Sequence, residues 1–137
     1  MSTLVLDASA AVRIVVGPSP EKIIAALDSV DDVIVPTLFA EEVSNALWKY
    51  VHEDILASSD AITRVRTALA LPNRIFPSGY DESFLTEVFN EACRLDHPVY
   101  DLLYLVTARR NAASLATCDR RLAALASSLG VPLITDQ

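Results

Sequence analysis

The chain has 137 residues, the size of one ordinary domain, so we expect a single domain over residues 1–137. Its 18 acidic and 11 basic residues give a formal net charge of −7, which argues against a protein that coats nucleic acid through Lys and Arg. Apolar residues make up 52% of the chain and the mean hydropathy is +0.34, yet no run approaches the roughly 20 apolar residues of a membrane span. The composition therefore predicts a helix-rich α/β domain with apolar surface left for a partner.

Short apolar runs alternate with longer helical segments along the chain. Strands are predicted at residues 4–6, 33–35, 75–76, 114–117 and 131–135. Helices are predicted at residues 10–16 with Ser9 as N-cap, 21–29, 38–54, 58–71, 81–95, 98–110 and 120–129, the last stopped by Gly130. There are no internal repeats and no long linkers. This order predicts a mainly parallel sheet covered by helices on both faces.

The chain start and the cysteines bear on the cellular compartment. The opening MSTLVLD has neither a basic start nor a long apolar core, unlike a secretory signal. Cys93 and Cys118 are too few for a disulfide scaffold, and we expect both in apolar surroundings. We expect two buried free thiols in a cytoplasmic protein that does not bind membranes.

Two acidic residues stand where a predicted strand gives way to a helix. Asp7 ends the run Leu4–Leu6, and Asp119 follows the predicted strand at 114–117. The carboxyl ends of parallel strands meet at one edge of a sheet, where open α/β folds bind their ligands. Each carboxylate could equally serve only as the cap of the helix that follows it.

Two further acids lie on predicted helices. Glu42 falls at the boundary of the apolar face of helix 38–54, with Asn45 and Lys49 on the same flank, whereas Glu41 faces solvent. Asp101 falls in the first turn of helix 98–110. Each of these acids also has a purely structural interpretation. Glu42 could be a solvated glutamate with a lysine neighbour, and Asp101 could be an acid at the positive end of a helix.

Together, these four carboxylates suggest a site of oxygen ligands that requires neither His nor Cys. Such a site favours Mg²⁺ or Mn²⁺ over zinc. Ions of this kind lower the pKa of a bound water and neutralise charge on a phosphodiester.

The remaining polar residues give weaker indications. His52 is expected on a solvated helix end, His97 in a structural role, and Asp96 as a loop carboxylate. Arginine matches the geometry of phosphate, although each arginine could equally be a surface charge. The candidates for phosphate contacts are Arg13, Arg109, Arg110, Arg120 and Arg121.

Four segments resemble the signature blocks of PIN-domain ribonucleases, above all the VapC-type toxins of toxin–antitoxin pairs. They are VLDASA, PTLFAEEVSNAL, YDLLYLVTA and LATCDRRLA, in this order and spacing. The resemblance implies a five-stranded parallel sheet of order 3-2-1-4-5. It places the acidic quartet of the family on Asp7, Glu42, Asp101 and Asp119 and its supporting polar positions on Ser9, Asn45 and Thr117.

The same resemblance implies an activity. Asp7, Asp101 and Asp119 would hold one or two Mg²⁺ or Mn²⁺ ions, directly or through water, for hydrolysis of single-stranded or loop RNA. Glu42 would hold an outer water or help to activate the attacking one. Ser9 and Thr117 would orient waters, and Asn45 would steady the cluster. A homodimer and a VapB-like antitoxin that covers the site are implied as partners.

Other functions remain as alternatives. The chain could be a PIN nuclease of RNA processing without a toxin role, or a binding module of the same fold without catalysis. A phosphoacceptor receiver domain needs a lysine near its acids, but the only lysines are Lys22 and Lys49, neither after a late strand. A dinucleotide-binding domain needs a glycine-rich turn, and the chain has three glycines, none in such a turn.

Overall fold

A computed structural model of the protein describes residues 2–136. The strands are β1 (Thr3–Leu6), β2 (Asp32–Val35), β3 (Arg74–Ile75), β4 (Ser114–Ala116) and β5 (Leu133–Ile134). The helices are α1 (Ala8–Val16), α2 (Glu21–Ser29), α3 (Leu38–His52), α4 (Ser58–Leu69), α5 (Glu82–Leu95), α6 (Val99–Arg110) and α7 (Arg120–Ala126), and α7 continues into a 3₁₀ turn at Ser127–Leu129.

The five strands form one parallel sheet of order β3-β2-β1-β4-β5. The predicted PIN-like α/β/α fold, with its strand order, is confirmed. β1 lies in the centre, where Val5 pairs with Ile34 of β2 on one side and Leu115 of β4 on the other. Leu4, Val5 and Leu6 have no exposed surface, as expected of a strand covered on both faces.

The strand order decides where the site lies. Because β1 and β4 are parallel neighbours, the residues that follow them, including Asp7 and Asp119, leave the sheet at the same edge. Helix α3 follows β2 and packs against α1 and α4, while α6 packs against α5, β1 and β4. α3 and α6 can therefore add side chains to the same edge.

The ends of several elements differ from the predictions. Helix α1 begins at Ala8 because Asp7, and not Ser9, is its N-cap. α3 ends at His52 and α4 at Leu69, each two residues before its predicted end. β5 is an edge strand in which only two residues pair with β4, so it is shorter than the predicted segment 131–135.

The cysteine prediction is half right. Cys93 and Cys118 are both free thiols, as expected. Cys93 is exposed, however, because it lies on the outer face of α5, and Cys118 is half-buried at the sheet edge. Within residues 2–136, the helices are all too short or too polar to cross a membrane.

Candidate functional site

An open cleft of about 610 Å³ lies at the carboxyl edge of the sheet. All four predicted acids line it, and each comes from a different part of the fold: the β1–α1 junction, α3, α6 and the β4–α7 junction. The acids are Asp7, Glu42, Asp101 and Asp119. Tertiary structure thus brings together four carboxylates that are up to 112 positions apart in the sequence.

Asp7 is the buried member of the group, with 3% of its surface exposed. Its Oδ1 accepts a hydrogen bond from the backbone N–H of Ala10 at 2.9 Å, which caps α1. Thr117 Oγ1 donates to Asp7 Oδ2 at 2.6 Å, and Ser9 Oγ lies 2.8 and 2.9 Å from the two carboxylate oxygens. Asp7 is therefore both a helix cap and a wall of the cleft, so the two alternatives considered for it do not exclude each other.

Ser9 and Thr117 also join the two strand ends. Ser9 Oγ accepts from the backbone N–H of Cys118 at 3.0 Å, and Thr117 Oγ1 accepts from the N–H of Asp119 at 2.9 Å. Each hydroxyl can donate to Asp7 while accepting from an amide, because a hydroxyl has one proton and two lone pairs. The position of the Asp7 carboxylate is consequently fixed by contacts from both junctions.

Burial changes the acidity of Asp7. Desolvation raises its pKa from 3.8 to about 6, against the opposing effect of the hydrogen bonds from Thr117, Ala10 and Ser9, and the negative charge of Asp119 adds to the rise. The ionised form of Asp7 is therefore held in the folded protein at an unfavourable free energy. A cation close to this carboxylate would relieve that cost.

Glu42 is half-buried and bound to a tyrosine. Tyr104 Oη, on α6, donates to Glu42 Oε1 at 2.6 Å. Desolvation raises the pKa of Glu42, the Tyr104 hydrogen bond lowers it, and the charges of Asp101 and Asp119 raise it further. These interactions show that the carboxylates lie within electrostatic reach of one another. Burial, with the neighbouring Glu42, also raises the pKa of the Tyr104 phenol, which stays a donor.

Tyr104 was missed in the sequence. It is 2% exposed among apolar residues of α6, where it looks like an ordinary core residue. Its spacing was the available signal: position 104 is three residues after Asp101, on the same side of the helix, and a buried tyrosine needs a partner for its hydroxyl.

Asp101 and Asp119 have different partners. His97 Nε2 lies 2.8 Å from Asp101 Oδ2, so the N–H of this ring nitrogen donates to the carboxylate. His97 therefore contacts a cleft residue, which agrees with a structural role. Asp119 Oδ1 accepts from the backbone N–H groups of Arg121 and Leu122 at 2.8 and 3.3 Å and caps α7.

The other predicted polar residues divide into two sets. Asn45 lines the cleft, although its side chain makes no hydrogen bond within residues 2–136. Asp96 is exposed and forms the left-handed C-cap of α5, and His52 is exposed at the end of α3, stacked on Trp48. These last two contribute nothing to the cleft.

Two of the predicted arginine contacts require correction. Arg13 lines the cleft, and together with Arg120 it lines a smaller adjoining cavity. Arg109, predicted as a phosphate contact, instead donates to Glu91 at 2.6 Å and to Glu87 at 2.8 Å, away from the cleft. Arg110 likewise donates to Glu87 at 2.8 Å. Sequence could not show this, because the pairing depends on α5 packing against α6.

The donor set suits a hard divalent cation. The donor atoms are carboxylate oxygens supported by hydroxyls, and Mg²⁺ and Mn²⁺ prefer oxygen ligands. No Lys or Arg within residues 2–136 forms an ion pair with the four acids. In the same part of the chain, no three His, Cys, Asp or Glu side chains converge as a ready-made set of ligands. An ion that keeps several of its waters, as Mg²⁺ does, fits such an arrangement.

Comparison with solved structures finds this fold elsewhere at low sequence identity. PAE2754 from Pyrobaculum aerophilum is similar with a TM-score of 0.70 and 23% identity over 96% of this chain and 90% of that chain. FitAB bound to the IR36 DNA fragment matches with a TM-score of 0.70 and 17% identity over 97% and 94% of the chains. FitAcB from Neisseria gonorrhoeae matches with a TM-score of 0.64 and 18% identity over 97% of each chain.

Sequence comparisons complete the picture. A search of curated proteins finds no significant match. The family model of the PIN domain matches residues 4–128, nearly the whole chain. Domains of this kind are generally metal-dependent nucleases. With the sheet order, the acid-lined cleft and this match in agreement, the chain belongs to the PIN-domain family.

Proposed function

We propose that this protein is a Mg²⁺- or Mn²⁺-dependent endoribonuclease that cleaves single-stranded or loop RNA as the toxin of a VapBC-type toxin–antitoxin pair. The observation that carries the proposal is the cleft, where Asp7, Glu42, Asp101 and Asp119 line one cavity and form no ion pair with Lys or Arg within residues 2–136. We take residues 1–137 as one catalytic domain.

The residues would divide the work as follows. Asp7, Asp101 and Asp119 would hold the cation, directly or through water. A divalent cation supplies charge neutralisation at the phosphodiester and lowers the pKa of water. Glu42, with its raised pKa, is suited to accept a proton from the attacking water.

Hydrogen bonds keep these acids in place. Ser9 and Thr117 fix the Asp7 carboxylate, and Tyr104 fixes that of Glu42. Orientation of this kind by supporting residues sustains metal affinity and activity in metal sites generally. Asn45 lies at the cleft wall, where it can contact the substrate or a bound water.

The surface supports protein partners. Eleven large apolar residues are exposed within residues 2–136, among them Trp48 at 55% beside the cleft residue Asn45 on α3. We propose that a VapB-like antitoxin and a second copy of the chain cover part of this surface, in a cytoplasmic complex. The FitAB structure contains DNA. With a net charge of −7 on this chain, DNA contacts in a corresponding complex would come from the antitoxin.

The test is RNA cleavage by purified protein with Mg²⁺, with Mn²⁺ and with EDTA. We expect cleavage only with metal, and a loss of about 10³-fold, or about 4 kcal/mol of barrier, in Asp7→Asn and Asp119→Asn. Circular dichroism checks that the variants fold. Full cleavage by either folded variant would refute the catalytic role of the cleft.

A matched pair on α3 sharpens this test. Glu42→Gln should reduce cleavage strongly, whereas Glu41→Gln, the same change on an exposed neighbour outside the cleft, should not. Induced expression with sequencing of cleaved RNA ends then tests the toxin role. Cleavage in vitro combined with harmless expression would favour an RNA-processing nuclease, and absence of metal binding would favour a non-catalytic module.

A further inference from the structure

A second, smaller cavity of about 130 Å³ adjoins the acidic cleft. We call it the side cavity; it is lined by Arg13, Thr117, Cys118, Asp119, Arg120, Ala123, Thr135 and Asp136. Arg13, Cys118 and Asp119 line both spaces, so the two adjoin at these residues. A ligand that extends from the cleft past these residues would reach the side cavity.

Within the part of the chain that the structure describes, the two arginines of the side cavity lack side-chain partners. Neither Arg13 nor Arg120 forms a side-chain hydrogen bond or an ion pair within residues 2–136, although Asp119 and Asp136 line the same cavity. Asp119 is already held by the backbone amides at the start of α7. Arg13 acts electrostatically on Cys118: burial raises the pKa of that thiol and the positive charge of Arg13 opposes the rise.

Most other arginines are engaged with carboxylates. Five side chains form ion pairs away from the cleft: Arg64, Arg74, Arg94, Arg109 and Arg110. Within the described chain, Arg66 and Arg121 also lack ion pairs, but they line neither space. In this acidic protein, the unpaired guanidinium groups next to the acids are therefore concentrated in one small cavity.

We propose that Arg13 and Arg120 form a subsite for a backbone phosphate of single-stranded RNA, next to the phosphate that is cleaved in the acidic cleft. The subsite rests on the proposed function and adds to it a defined path for the substrate. Guanidinium groups bind phosphate through paired N–H donors, and no metal is needed for this contact. Without a bound cation the cleft acids repel a phosphodiester, and two guanidinium groups at the border of the cleft oppose that repulsion.

Binding of a fluorescent single-stranded RNA decamer, measured in EDTA so that no cleavage occurs, tests this subsite. Arg13→Gln and Arg120→Gln should each weaken binding about fivefold at low salt, and each should reduce the slope of log K against log salt by about 0.7. Arg121→Gln is the matched control, because it removes the same charge from the next residue outside both cavities. An equal loss in the control would overturn the proposal.

A direct measurement does not depend on activity. In ¹⁵N NMR spectra, the side-chain Nε–H signals of Arg13 and Arg120 should shift when the decamer is added, and that of Arg121 should stay. Unshifted signals for the first two would overturn the subsite. The same spectra are recorded with inorganic phosphate at the same phosphate concentration. If inorganic phosphate shifts the two arginine signals as much as the RNA does, the cavity binds free anions and is not an RNA subsite.

Failure of this proposal is distinguishable from failure of the nuclease. If the wild-type protein cleaves RNA and both Arg13→Gln and Arg120→Gln keep its KM and salt dependence, the subsite proposal is wrong and the nuclease proposal stands. If both arginine signals shift on RNA while no cleavage occurs with Mg²⁺ or Mn²⁺, the subsite stands and the nuclease is wrong. If both proposals are correct, the two arginine variants raise KM and leave kcat unchanged, because the arginine–phosphate contact is equally strong in the ground state and the transition state.

Discussion

The protein has two clusters of acidic residues that differ in their counter-ions. On α5, Glu87 and Glu91 are bound by the guanidinium groups of Arg94, Arg109 and Arg110 at 2.6 to 2.8 Å. In the cleft, the acids have hydroxyl, amide, phenol and imidazole donors and no ion pair to Lys or Arg within residues 2–136. The α5 cluster lies between two packed helices, α5 and α6, whereas the cleft cluster combines two strand–helix junctions with α3 and α6.

The pKa values of the acids differ between the two clusters in the way that these counter-ions predict. Hydrogen bonds from Arg94, with those from Arg109, lower the pKa of Glu91 from 4.5 to about 2. For Glu87, desolvation alone would raise the pKa, but Arg109 and Arg110 lower it overall. The pKa values of Asp7 and Glu42 move upward instead. The comparison teaches that the α5 cluster is compensated within the chain, whereas the cleft cluster leaves negative charge for an external cation.

The largest expected effect on stability comes from adding that cation. Mg²⁺ at about 100 times its Kd should stabilise the fold by about 2.7 kcal/mol and raise Tm by several degrees. Asp101→Asn should reduce this rise, because it removes one cleft carboxylate. Differential scanning fluorimetry with and without Mg²⁺ measures both. Glu87→Gln is the control from the compensated cluster, and a smaller Mg²⁺ response in that variant than in Asp101→Asn would contradict the comparison.

The next effect concerns Asp7 without metal. Its folded-state pKa of about 6 exceeds the ordinary 3.8, so its ionisation opposes folding as the pH rises between these values, and the full penalty is present above them. The rise of this pKa from 3.8 to about 6 corresponds to about 3 kcal/mol of folding free energy. Asp7→Asn also removes one hydrogen-bond acceptor, which costs about 1 kcal/mol of that gain. Asp7→Asn should therefore be more stable than the wild type by about 2 kcal/mol at pH 7.5.

Urea unfolding in EDTA at a series of pH values measures this difference. The advantage of Asp7→Asn should shrink as the pH falls from about 6 toward 3.8, where the wild-type carboxyl is protonated in the folded protein. An advantage that persists unchanged at pH 3.8 would show that burial of the charge is not its cause.

A smaller effect is expected at Tyr104. Tyr104→Phe removes the hydrogen bond to Glu42 and leaves its carboxylate free to move, so kcat should fall about tenfold with KM unchanged. Tyr80→Phe removes a phenol that is 85% exposed and should have no effect. A Tyr104→Phe variant with wild-type kcat would remove Tyr104 from the site.

The smallest effect belongs to the compensated cluster. Arg109→Gln breaks the contacts with Glu87 and Glu91 and should lower the free energy of unfolding by about 1 kcal/mol, since this network is partly exposed. RNA cleavage should be unchanged. Because the lowered pKa of Glu91 stabilises the fold above 4.5, the loss should shrink as the pH falls from 4.5 toward 2. Impaired cleavage in this variant would mean that the two clusters are coupled.

The sequence alone determined the order of the elements and the positions of the four acids. Apolar runs such as Leu4–Leu6 and the acids shortly after strands are local signals, and the helical phase of Glu42 follows from a fixed periodicity. The strand order came from the resemblance of four motifs to a family. It is confirmed by the structure.

Only the tertiary structure decided which groups are partners. The hydroxyl of Tyr104 on α6 meets Glu42 on α3, which lies 62 positions earlier in the chain, and Arg109 meets two glutamates because α6 packs against α5. Cys93 is exposed although cysteine is one of the residue types most often buried, because exposure depends on which face of α5 is covered. Partners and burial are long-range properties: they depend on contacts between segments far apart in the chain, which no local pattern encodes.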